Sequence, residues 1–93
     1  MTGGPPVEPP GSDERLSEDL RLAFGKNFRE ARLRAGLTQA QVAERTGLTQ
    51  QHVSEIEAGR VNLTLATMVA LARVVGQEVV TLLQRSRSGT ATS

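Results

Sequence analysis

An all-α chain, folded as one compact bundle of five short helices, is what this sequence predicts. Three observations lead there. Phe24 and Phe28 are the only aromatic rings among 93 residues, so the core has to be built from Leu, Val, Ile, Ala and Met, whereas sheets rely on aromatic and β-branched cross-strand pairs. A Leu-Thr pair stands ahead of a helical pattern three times, at Leu37-Thr38, Leu48-Thr49 and Leu63-Thr64. Glycines stand where the helical patterns stop, at Gly36, Gly47, Gly59 and Gly76.

Residues 1–11 contain four Pro and three Gly, with Val7 as the one sizeable apolar group beyond Met1. Such a segment cannot repay its ordering entropy and reads as a disordered, Pro/Gly-rich tail. The first helix is expected from Ser12 or Ser17, either of which can cap an acidic first turn. Leu16, Leu20, Phe24, Phe28 and Ala31 recur at helical spacing and form its apolar stripe. Gly25 interrupts that stripe at a cost of about 1 kcal/mol relative to Ala, which marks a close approach by another helix. Arg32 and Arg34 lie in the last turn, where cations are favoured, before Gly36 ends it.

Each Leu-Thr pair reads as a cap with its staple. Thr38, Thr49 and Thr64 are N-caps, and the preceding Leu folds back on Val42, Val53 or Met68, four residues after the cap. Gln41 completes a capping box with Thr38. The second helix therefore covers residues 39 to 45 or 46, the third 50–58, and the fourth 65–75 with Leu65, Met68, Val69, Ala72 and Val75 as its stripe. Residues 77–84 are ambiguous: Val79-Val80-Thr81 favours a strand, while Val79, Leu82 and Leu83 have helical spacing. Helix is the expectation, because a lone strand has nothing here to pair with. The expected organisation is a tail over residues 1–11, one domain over 12–84 and a second disordered tail over 85–93.

Composition removes several classes of function. With no Cys and one His, His52, neither a disulfide framework nor a metal site is expected, and no cofactor is implied. His52 and Ser54 lie on different faces of a helix, so they do not form a nucleophile and base; no enzyme activity is expected. No apolar run approaches the roughly 20 residues of a membrane span, and no signal peptide pattern opens the chain, so a cytoplasmic location is the default. Net charge is only +1, a poor basis for purely electrostatic binding of nucleic acid, but enough for a dimer that reads base edges with a few placed cations.

The second and third helices, two turns each and joined by a short turn at Gly47, have the spacing of a DNA-binding helix-turn-helix. On the third, Val53 and Ile56 face inward, and Thr49, Gln50, Gln51, Ser54 and Glu55 are left facing out. Gln pairs bidentately with adenine and a Thr methyl meets thymine, so these five residues are the expected base contacts in a major groove. Glu55 either accepts from cytosine or is a solvated charge held by Arg60. Gln39, Arg60 and Asn62 are expected at phosphates, with Lys26 and Arg29 of the first helix as outlying cations. Glu57 falls on the inward side and needs a partner, for which Arg32 is placed to form a bidentate pair.

The strings RxxxGLTQ (Arg32 to Gln39), AxxxGLTQ (Ala43 to Gln50) and VSEIEAGRVN (Val53 to Asn62) resemble the Cro/C1-type helix-turn-helix family of phage repressors and xenobiotic-response-element-like bacterial regulators. The resemblance runs over about residues 24–83. It implies a lambda-repressor-like five-helix domain, recognition of double-stranded DNA by the helix starting at Gln50, a homodimer on a palindromic operator, and transcriptional regulation at the nucleoid of a bacterium or phage. It also implies that Gln39 clamps a phosphate, that Gln50, Gln51 and Glu55 face bases, that Arg32 and Glu57 form a buried structural salt bridge, and that Val80 and Leu83 lie in the dimer interface. Gln77 and Glu78 depart from the family pattern there. The alternative within the same fold is an antitoxin-type protein-interaction module, to which a terminal strand over residues 77–84 would point. The chain length leaves no room for an effector domain, so regulation is expected through concentration, autorepression or a protein partner.

Overall fold

The computed structural model describes residues 10–85. They form α1 (Pro10–Arg34), α2 (Gln39–Thr46), α3 (Gln50–Glu57), α4 (Leu65–Val74) and α5 (Val79–Leu83), with no strand among the described residues. The tail expected over residues 1–11 lies outside the described residues except for Pro10 and Gly11, which the structure places in α1; of the tail expected over 85–93, only Arg85 is described. α1 thus starts earlier than either expected cap, Ser12 or Ser17. Proline loses nothing at a first helical position, because the N–H it lacks would have no acceptor there and its φ is already helical.

The three Thr caps set the start of α2, α3 and α4. The side chains of Thr38, Thr49 and Thr64 accept the backbone N–H of Gln41, His52 and Thr67, and the Thr38 N–H donates in return to Gln41 Oε1 at 2.9 Å. Leu37, Leu48 and Leu63, the residues before each cap, all pack against the core. Between α2 and α3 the chain reverses through Gly47 at φ 81°, a left-handed conformation that costs any residue with a Cβ. The Thr46 hydroxyl donates to Val42 O at 2.8 Å and accepts the Leu48 N–H at 3.3 Å, which tightens the same turn.

Phe24 and Phe28 stack in parallel one turn apart, with ring centroids 6.3 Å from each other. Around them are buried Val42 of α2, Val53 and Ile56 of α3, Leu71 and Ala72 of α4, and Leu82 of α5. Two expected stripes are displaced. In α4, Leu65 and Val69 are exposed at 72% and 46%, and Leu71 is fully buried in their place. The helix LATMVALARV is apolar on nearly every side, so spacing alone admits more than one core-facing stripe, and packing chooses between them. In α1, residues 13–18 are all exposed, Leu16 included, because the first turns run past the part of the helix that the core covers.

α1 carries different elements on its two flanks, α3 on one and α5 on the other. Toward α3, Gly25 is buried, and a Cβ there would lie 2.7 Å from the Glu57 carbonyl oxygen and closer still to that of Ile56. Toward α5, Asn27 donates from Nδ2 to Leu82 O at 2.9 Å and to Gln84 O at 2.6 Å. α5 has five residues and no side-chain cap at Glu78. A helix that short does not form unaided, so Leu82 in the core and Asn27 at its end are what hold it.

Gly25→Ala adds one methyl against two carbonyls. Although Ala is the better helix former by about 1 kcal/mol, the variant is expected to be destabilised by about 1–3 kcal/mol in urea unfolding. An unchanged midpoint would contradict the close approach.

Candidate nucleic-acid interface

The centre of the site is a carboxylate. Glu57, the last residue of α3, is buried with Arg32 of α1, their side chains 3% and 9% exposed. Arg32 Nε donates to Glu57 Oε2 at 2.6 Å and Nη2 to Oε1 at 3.1 Å, a two-pronged fit of guanidinium to carboxylate. Arg32 Nη1 donates to Leu37 O at 2.9 Å, the residue before the α2 cap. Gln39, the first residue of α2, donates from Nε2 to Glu57 Oε1 at 3.0 Å. Four points of the chain, one each on α1, the α1–α2 turn, α2 and α3, are therefore tied into a single network.

Gln39 has a second N–H on the same nitrogen. It is half-buried, so the amide is held by Glu57 with a donor to spare at the start of α2, where the backbone N–H groups of Gln39 and Ala40 lie ahead of the first intrahelical bonds. The link from Gln39 to Glu57 was not legible in the sequence, since a neutral amide gives no charge to match with the carboxylate.

On α3 the polar face and the buried face separate cleanly. Val53 and Ile56 are buried, while Thr49, Gln50, Gln51 and Ser54 are exposed. Thr49 spends its hydroxyl on the His52 N–H at 3.0 Å, and its methyl is left for any apolar contact. Glu55 is half-buried and takes part in neither of the ion pairs found among the described residues, Arg32–Glu57 and Arg85–Asp19. Arg60 meets Glu55 through backbone only, its N–H donating to Glu55 O at 3.0 Å; the guanidinium is exposed.

The remaining candidates are scattered. Asn62 is exposed and accepts from Arg21 Nη1 of α1 through Oδ1 at 3.1 Å, a bond that does not use its NH₂ group. Arg29 is exposed on α1. Lys26 lines a polar crevice between α1 and α5, beside Asn27, Gln77 and Gln84. None of Gln39, Arg60 and the residues of α3 lines that crevice. Val80 of α5 is 69% exposed, whereas Leu83 is only partly so and packs on the core.

Comparison with known proteins gives the following. A family model described as helix-turn-helix matches residues 28–82. An HTH-type transcriptional regulator of Sinorhizobium fredii, y4dJ, is 42% identical over 58 residues, 62% of this chain and 75% of that protein. The crystal structure of a hypothetical transcription factor from Neisseria, NHTF, superposes with a TM-score of 0.70 at 32% identity over 88% of each chain. The restriction-modification controller protein C.AhdI of Aeromonas hydrophila gives 0.63 at 32% identity, over 67% of this chain and 94% of the other.

The Arg32–Glu57 network has a measurable weight. Arg32→Ala strands a buried carboxylate and is expected to cost about 3–5 kcal/mol of stability in urea unfolding, while Arg32→Lys, which keeps the charge but not the fork, falls between it and the parent. A loss under 1 kcal/mol for Arg32→Ala would mean that the carboxylate finds water or another donor.

Proposed function

The chain belongs to the Cro/C1-type helix-turn-helix family, and on that premise we propose that it is a transcriptional regulator that binds double-stranded DNA sequence-specifically, as a homodimer on a palindromic operator. The observation that carries this reading is the exposed polar face of α3, Gln50, Gln51 and Ser54, on a helix whose far end is braced to α1 and α2 through Glu57. A rigidly held helix start is what major-groove reading requires, because one misplaced side chain loses its bidentate geometry.

In this reading Thr49, Gln50, Gln51, Ser54 and Glu55 meet base edges, Glu55 as an acceptor for cytosine N4 and a repulsive element against other bases. The unused side-chain N–H of Gln39 and the backbone N–H groups of Gln39 and Ala40 take one phosphate. Arg60, the NH₂ of Asn62, and Arg29 follow the backbone beyond α3. Lys26, exposed on α1 at the α1–α5 crevice, is the outlying cation of this surface. The second copy pairs through α5, where Val80 offers an exposed apolar side chain.

The experiment is binding to operator sites selected from random duplexes, with sedimentation of the free protein alongside. Gln50→Ala and Gln51→Ala are each expected to weaken the selected site by about 5–150-fold while binding to random DNA, its salt dependence and the melting temperature stay as in the parent. Equal losses on selected and random DNA would assign those glutamines to the backbone. A selected site with no two-fold repeat, or a parent that stays monomeric at micromolar concentration with and without DNA, would refute the dimer.

A further inference from the structure

The loop between α3 and α4 turns its apolar residues inward, with Val61 and Leu63 packed on the core, and leaves Arg60 and Asn62 exposed. Those two are backbone contacts in the reading above. Among the described residues, the side-chain hydrogen bond that reaches this loop from another element comes from Arg21 of α1. Its Nη1 donates to Asn62 Oδ1 at 3.1 Å and to Ser17 Oγ, one turn back on α1, at 3.0 Å. An Arg Nη carries two N–H groups, so this nitrogen bridges helix and loop with both. A guanidinium only donates, so Asn62 has to give Arg21 its carbonyl oxygen, and the NH₂ is the part of the amide left to donate to a phosphate.

Stability alone would place this guanidinium differently. Asp13, Glu14 and Glu18 line the same crevice as Arg21 and Asn62, yet neither ion pair among the described residues includes Arg21. Its Nε is buried without an acceptor among them, which costs stability. Arg21 thus holds two neutral oxygens with carboxylates at hand, and breaches of local preference of this kind gather at functional sites. The helix-turn-helix match begins at residue 28, so the bridge comes from the part of α1 ahead of it.

We propose that Arg21 is a positioning residue for the DNA backbone: it ties the α3–α4 loop to α1 and sets the Asn62 amide so that its NH₂ meets a phosphate. The inference rests on the reading of this surface as a DNA interface and adds to it a residue that touches no DNA.

Binding of the full chain to selected and to random duplexes, over a range of salt, tests it. Asn62→Ala is expected to weaken both kinds of duplex by the same factor, about three- to tenfold, since a backbone contact carries no sequence. Arg21→Ala is expected to lose a similar factor, and the double variant no more than either alone. Asn62 is neutral, so the salt dependence of all three stays as in the parent. A salt slope lower by about one in Arg21→Ala would mean that the guanidinium itself meets a phosphate, and losses that multiply in the double variant would make the two residues independent; either result overturns the proposal. Asn62→Asp keeps a partner for Arg21 but removes the NH₂. It is expected to melt no lower than the parent and to bind DNA no better than Asn62→Ala; parent-like binding overturns the proposal, even where Arg21→Ala is too unstable to measure. Asp13→Asn, Glu14→Gln and Glu18→Gln together take the carboxylates out of the crevice. In that background Arg21→Ala is expected to keep its loss, and a loss that vanishes would mean that Arg21 only offsets those charges. A parent that binds neither kind of duplex removes the DNA reading along with the inference.

Discussion

The fold turns on one buried carboxylate. Glu57 sits where the end of α3 meets α1, and its two oxygens collect three donors, two from Arg32 and one from Gln39. Burying a lone carboxylate at that place would be prohibitive, and burying it in a fork of donors is merely neutral to mildly favourable. What the pair contributes is position more than energy. Arg32 reaches on to the carbonyl of Leu37, so the angle between α1, the start of α2 and the end of α3 is set by hydrogen bonds with narrow geometry, whereas methyl-to-methyl packing would tolerate sliding.

Gly25 is the condition for that arrangement. The α3 backbone lies directly against α1, and the Ile56 and Glu57 carbonyls occupy the space where a side chain would stand. Gly59 repeats the device just past the helix end: a Cβ there would be 3.1 Å from the Leu22 Cα. Between these two contacts α3 is pressed onto α1, and its opposite face is left to solvent with Gln50, Gln51 and Ser54 upon it.

What was legible in the sequence was local. Thr38, Thr49 and Thr64 fix their helix starts through atoms three residues away, and the stop glycines act within a single turn, so reading the chain residue by residue locates α2, α3 and α4 closely and the end of α1, though not its start. The fifth needed the tertiary contact of Asn27, 55 residues distant from Leu82, and its strand-forming Val79-Val80-Thr81 gave a mixed signal. Leu65, Val69 and Leu71 could not be ranked because α4 is apolar all round, and only the fold shows which side it turns inward. The Arg32–Glu57 contact stands between residues whose pairing charge and spacing already indicated, whereas Gln39–Glu57 and Arg21–Asn62 are neutral-group bonds that leave no such mark. Lys26 was read from its charge, and the sequence did not show that it lines the crevice between α1 and α5.

α1 holds the recognition helix on one flank, through Arg32, and the terminal helix on the other, through Asn27. A single stiff rod is therefore the common reference for the surface proposed to read bases and the one proposed to pair two copies. In a dimer built on α5, the distance between the two reading heads has no linker to absorb error. Inserting one base pair between operator half-sites moves one of them by about 3.4 Å and turns it by roughly a tenth of a helical turn, and such a dimer would have to strain either itself or the duplex to follow. Half-site spacing, as much as half-site sequence, would be something such a dimer measures.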